Sequence, residues 1–181
     1  MIKQLKDLIV SLFGIRVVRF KRCLKQGDLI LRLRRFRDLP VLYSFLTPEI
    51  LREANGYKPN AFASLVSFWR WLKMTFHVVY VIEVEEIDNR RAIGFAGLYD
   101  INLGRSLSFS LEIFSPDDRR QRYGERALRL LLDSLRKNGA AGTIYAEVLK
   151  SNVPSLCLCR KLGFQVNKLY QDRFLLEKDQ K

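Results

Sequence analysis

The stretch RRQRYGERAL, residues 119–128, sets one glycine, Gly124, among four arginines where a strand-like run gives way to a helix. Ahead of it SLSFSLEIF (106–114) alternates polar and apolar residues and stops at Pro116. After it Ala127, Leu128, Leu131, Leu132 and Leu135 recur at helical spacing, and Gly139 follows as a C-terminal stop. A helix start presents unpaired N–H groups and a partial positive charge, which together suit a phosphate. Gly124 removes a side chain from such an approach, and Arg119, Arg120, Arg122 and Arg126 add charge that a helix dipole cannot supply. The same residues also describe a solvated basic helix start in which Gly124 only eases a turn.

Working outward, FHVVYVIEVEE (76–86), AIGFAGLYDI (92–101) and SLSFSLEIF are joined by short polar connections. That pattern predicts an antiparallel meander. Upstream, DLILRLRRF (28–36) alternates as a half-buried strand, Asp38 can cap a helix, and two helical stretches cover residues 38–56 and 60–74, with a break at Thr47 and Pro48. Phe62, Leu65, Trp69 and Leu72 read as core. Downstream, a helix is expected from about Glu125 to Asn138, TIYAEVL (143–149) as a strand, SNVPSLCLCRKLG as a helix, and FQVNKLY with RFLLEK as a last strand pair. Helices interleaved with a mostly antiparallel sheet give an α+β class, in three layers α/β/α.

Two motifs about 30 residues apart carry a resemblance to the GNAT superfamily of N-acetyltransferases, spanning roughly residues 27–178. Arg119 and Gly124 match the ends of that family's acetyl-CoA loop, and Arg122 stands where its first glycine usually is. Asn152, Ser155, Gly163 and Phe164 resemble its second, helical motif. The opening LRLRRFRDLPVLYSFL is similar to the branch holding ribosomal-protein N-terminal acetyltransferases and many small-amine enzymes. The resemblance implies a mixed sheet splayed between the strands at 106–114 and 143–149, with acetyl-CoA in the opening as co-substrate. It assigns the cofactor contacts to Phe114, Arg119, Gln121, Arg122, Tyr123, Gly124, Glu125, Arg126, Asn152 and Ser155. The pyrophosphate is expected on the N–H groups of roughly Gln121 to Arg126, and the thioester oxygen near a backbone N–H between Ile113 and Ser115.

The activity implied is direct transfer of acetyl to a primary amine, on a protein N-terminus or a small molecule. Glu112 is the candidate base, since it shares a strand face with Ser108 and Ser110 beside the thioester. A salt-bridged structural glutamate is the alternative, and Asp100 and Glu147 are weaker candidates. Cys159 occupies the place of the family's general-acid tyrosine, seven residues after Asn152. It can act as an acid or as a small buried filler, leaving water to protonate coenzyme A. With both Arg122 and Cys159 departing from the family pattern, a non-catalytic acyl-CoA-binding or sensor module is the alternative function.

The 181 residues carry 32 Lys and Arg against 19 Asp and Glu, a net charge of +13, so the surface prefers an anionic partner. No aromatic-basic RNA motif accompanies that charge. Three cysteines without metal spacing and a single histidine, His77 in an apolar strand, predict no metal and a cytoplasmic setting. No run of about twenty apolar residues offers a membrane span. Residues 1–26 form a basic amphipathic extension of net charge +6, with Ile2, Leu5, Ile9 and Phe13 at helical spacing, and residues 27–181 form one domain. The extension either packs on that domain or lies on an anionic surface.

Overall fold

The computed structural model describes residues 20–40, 78–87 and 89–180. The expectations for residues 1–19, for the helices between residues 41 and 74 and for His77 lie outside them. Eight strands form one sheet: β1 (Cys23–Gln26), β2 (Leu29–Leu33), β3 (Val78–Glu85), β4 (Arg90–Asn102), β5 (Ser106–Ile113), β6 (Thr143–Leu149), β7 (Gln165–Leu169) and β8 (Arg173–Asp179). Their spatial order is β1-β2-β3-β4-β5-β6-β8-β7. Two helices are described, α1 (Tyr123–Lys137) between β5 and β6 and α2 (Val153–Lys161) between β6 and β7. This is the α+β arrangement with a mixed, mostly antiparallel sheet expected from the sequence, with helix α1 starting two residues before the expected Glu125.

The meander is present as expected: β3 pairs antiparallel with β4, and β4 with β5. At the amino end Gly27, with φ +61°, turns the chain between β1 and β2, so the sheet takes in residues 23–26 at the end of the segment read as an extension. The one parallel pair among the described strands is β5 with β6, which requires the α1 crossover. That pair lasts from Ser106 and Thr143 to Ser108 and Tyr145 and then ends. Beyond it β6 stays paired through Leu149, but with β8. The sheet is therefore split between β5 and β6 over residues 109–113, which pair with no described strand on that side.

The pattern of the strands explains which side holds the core. Leu29, Leu31, Tyr80, Ile82, Leu98, Leu107 and Phe109 alternate onto one face, where Leu128, Leu131 and Leu135 of α1 and Leu156 and Leu162 around α2 cover them. Leu128 and Leu131 are at most 1 % exposed, and each such side chain contributes roughly 1.5–3 kcal/mol. The opposite face begins with a separate cluster of Val79, Phe95 and Phe114, in which the two phenylalanine rings lie 6.0 Å apart. Arg32 is held there by the carboxylates of Asp38, at 2.6 and 2.9 Å, and Glu83, at 2.8 Å.

Candidate active site

The open edge of β5 follows from strand alternation. Phe114 donates its N–H to the Ile93 carbonyl of β4 at 2.9 Å. One residue earlier the backbone faces the other way, so the N–H and C=O of Ile113 point toward β6, five residues past the last paired position, Ser108. The Ile113 carbonyl is taken by the Arg119 guanidinium, whose Nε donates to it at 3.1 Å. Arg119 also reaches the Glu112 carboxylate at 3.4 Å. Of the N–H groups expected to face a thioester, that of Phe114 is thus engaged by the sheet and that of Ile113 faces the split.

The chain then enters the loop that the sequence singled out. Pro116–Asp118 form a 3-10 turn capped by the Ser115 hydroxyl, which accepts from the Asp117 N–H at 3.2 Å. Asp118, only 5 % exposed, receives both Nη groups of Arg91 at 2.7 and 2.9 Å, which ties the turn to the start of β4. That guanidinium holds the Asp118 carboxyl below the usual carboxylate range. Arg120 and Arg122 follow with φ of +63° and +62°. The glycine usual at the second of these positions in the family motif is explained by that left-handed backbone, which L side chains seldom adopt.

Among the described residues no acceptor meets the N–H groups of residues 120–125, and α1 starts at Tyr123 with Arg122 as its cap. Arg120 and Arg122 are exposed and carry no ion pair among the described residues. The other two arginines are engaged. Arg126 bonds the Asp28 carboxylate and the Gln26 carbonyl and lies over the Tyr123 ring at 5.8 Å. Its partner Asp28 is held below the usual carboxylate range by that hydrogen bond. Glu125 joins α1 to α2 through Lys161 at 2.6 Å, and Gln121 bonds back to the Asp117 carbonyl. A Cβ at Gly124 would sit in ordinary contact with the side chains of Leu111 at 3.4 Å, Ile113 at 3.8 Å and Leu158 at 3.9 Å, so it would point onto β5 and α2, not into the phosphate approach expected from the sequence.

On α2, Asn152 caps the helix by accepting from the Ser155 N–H at 3.2 Å. Cys159 is 3 % exposed within the core, and burial pushes its thiol up to about 11. Asp100 is exposed with φ +48°, and Glu147 pairs with Arg173 at 3.4 Å. Between them Tyr99 is pushed up to about 12, first by burial and then by the charges of Glu147 and Asp100. Tyr99 faces Ser108 across β4 and β5, on the side of the sheet that carries Glu112. The sequence reading did not single out Tyr99, Arg91 or Asp118. Nothing local marks an Arg and an Asp 27 positions apart as a pair.

The residues present suit a diphosphate-bearing ligand: N–H groups at a helix start and two arginines that find no partner among the described residues, and a split sheet leading away from them. Among the described residues no group of three or more His, Cys, Asp or Glu could hold a metal ion, and no helix is long and apolar enough to cross a membrane.

The comparisons with known proteins agree with this geometry. Residues 28–165 match the family model of the acetyltransferase (GNAT) domain. No curated protein matches the chain. Among solved structures, a probable acetyltransferase of the GNAT family from Chromobacterium violaceum is 19% identical with a TM-score of 0.70, covering 93% of this chain and 92% of its own. Spermidine N-acetyltransferase from Vibrio cholerae, in complex with CoA and spermine, is 20% identical at 0.66, covering 86% and 97%. The Salmonella typhimurium acetyl transferase that modifies the N-terminal serine of ribosomal protein L7/L12 is 12% identical at 0.67, covering 85% and 96%.

Proposed function

Because the chain belongs to the GNAT acetyltransferase family, and so is an acetyl-CoA-dependent enzyme, we propose that it passes the acetyl group directly to a primary amine, with both substrates bound together. The observation that carries this reading is the Ile113 N–H, which faces the split in the sheet, with no acceptor among the described residues, one residue from the Glu112 carboxylate. An N–H held there polarises a thioester carbonyl without reorganising, an effect of about 10²–10³ in rate. Glu112 lies on the sheet face of Ser108 and Ser110, where it takes the amine proton directly or through a water. The N–H groups of residues 120–125, with Arg120 and Arg122, hold the pyrophosphate. Asn152 and Ser155 shape the α2 end of the opening. Cys159 serves as packing, since its thiol lies in the core, and water supplies the proton to the departing thiolate.

The acceptor is a protein N-terminus or a small amine. A net charge of +13 repels a polycation at long range and favours an amine carried on an acidic surface. Release of coenzyme A should be followed with a panel holding acidic N-terminal peptides, neutral peptides and spermidine. The expected result is turnover with the acidic peptides that falls as salt rises. No release with any amine would defeat the proposal, and preference for spermidine would defeat its acceptor half. Packing of the extension on the domain, the other expectation, predicts that deletion of residues 1–19, which leaves β1 in place, lowers stability.

A further inference from the structure

Gly94 lies in the middle of β4, outside both family motifs, at the place where that strand meets the open end of β5. A Cβ built on it would lie 2.2 Å from the Glu112 carbonyl oxygen, 3.1 Å from Ile113 Cδ1 and 3.2 Å from the Glu112 carbonyl carbon. No other described glycine would bring a Cβ within 3.0 Å of any atom, and the two at 3.0 Å meet only side-chain ends. The strand is also irregular at this point. Its register with β3 passes from Ile82 opposite Gly94 to Glu83 opposite Ala92, which leaves Ile93 as an extra residue in a bulge. Bulges re-aim neighbouring groups and end pairing, and they recur beside active sites. The carbonyl of that same Ile93 holds the Phe114 N–H at 2.9 Å.

Taken together, the bulge pulls on Phe114 while the missing side chain lets β4 close onto Glu112 and Ile113. We propose that Gly94 is a positioning residue: its lack of a side chain sets where the Ile113 N–H and the Glu112 carboxylate stand at the split in the sheet. The inference rests on the acetyl-transfer reading above. A methyl group at this position forces the Glu112 carbonyl back by more than 1 Å to reach ordinary contact, and the end of β5 moves with it. The loop at residues 120–125 keeps two anchors away from the end of β5, Arg91 on Asp118 and Arg126 on Asp28, beside the Arg119 contacts with Ile113 and Glu112. The variant is therefore expected to change ligand binding less than carbonyl polarisation.

The test uses the full chain and its Gly94→Ala variant with acetyl-CoA labelled with carbon-13 at the carbonyl. Isotope-edited infrared spectra read polarisation whether or not an acceptor is known, and calorimetry reads affinity. In the unaltered protein the bound carbonyl band should lie below that of free acetyl-CoA, and in Gly94→Ala it should return at least halfway, with affinity kept within about three-fold. Turnover on the best amine should fall by about ten-fold or more, since displacements near 1 Å can cost about 10². An identical band and turnover in the two proteins would overturn the inference, as would loss of affinity in proportion to turnover. Absence of acetyl-CoA binding in the unaltered chain would instead overturn the acetyl-transfer reading. If Gly94→Ala gives no cooperative melt, Ile113→Pro removes the N–H itself at a site where the ladder does not use it. A bound carbonyl band unchanged in Ile113→Pro overturns the inference too.

Discussion

Glycine in place of Arg122 separates two effects that one residue now combines. Arg122 closes the loop at φ +62° and ψ +8°, a left-handed conformation that costs an ordinary L-residue about 1–2 kcal/mol. Glycine enters that region freely, while its added freedom in the unfolded chain removes about 0.5–1 kcal/mol of the gain. The net stabilisation is about 0.5–1 kcal/mol, which for a chain of 181 residues is roughly 1–4 °C in Tm. The same change deletes an exposed guanidinium that has no ion pair among the described residues and stands beside the unpaired N–H groups. Its loss should weaken acetyl-CoA binding about two- to five-fold, in the range of screened charge pairs. Arg122→Ala is the control, since it loses the charge but keeps the left-handed cost. Thermal melting without ligand and calorimetry with acetyl-CoA at fixed salt then give opposite signs for Arg122→Gly and two unfavourable or neutral ones for Arg122→Ala. A lower Tm for Arg122→Gly would refute the strain argument. Tighter acetyl-CoA binding would show that the side chain crowds the phosphates.

Three further outcomes follow from the site. Glu112→Gln should lower turnover by about 10²-fold, leave acetyl-CoA affinity nearly unchanged and flatten the acidic limb of the pH–rate profile; turnover equal to the unaltered enzyme would leave Glu112 as the strand partner of Arg119. Cys159→Ala should keep turnover within about two-fold while costing about 1 kcal/mol of stability from the lost core contact, and a large fall in turnover without a fall in Tm would return the thiol to the chemistry. Asp118→Asn should cost about 1–2 kcal/mol, because the Arg91 pair is buried on one side only. Since Arg91 holds that carboxyl below its usual range, the pair contributes fully above the unfolded value of about 4 and fades as pH falls through the lower folded value. The Tm gap between Asp118→Asn and the unaltered protein should therefore be widest at pH 5–7 and close in stronger acid; a gap that persists there would assign the loss to something other than the charge.

The amino-acid order by itself determined the elements and their family. Alternation in residues 28–36 and 106–114 marks strands, because a period of two is a property of the extended backbone alone. The stripe from Ala127 to Leu135 marks a helix for the same local reason. Arg119, Gly124, Asn152 and Gly163, with Phe164, were enough to identify the GNAT pattern, since each serves a loop or cap within its own few residues. What only the tertiary structure decided are the contacts between distant positions. Four arginines look alike in RRQRYGERAL, but Arg126 is taken by Asp28, 98 residues away, and Arg119 by the edge of β5, whereas Arg120 and Arg122 carry no ion pair among the described residues. The length of the β5–β6 pairing, the burial of Cys159 and the fit of Gly94 against Glu112 likewise depend on how non-neighbouring strands and helices close on one another. Charge and periodicity are written along the chain, whereas which charge is already paired and which N–H is left open are set by packing, and the chemistry of this site depends on the second.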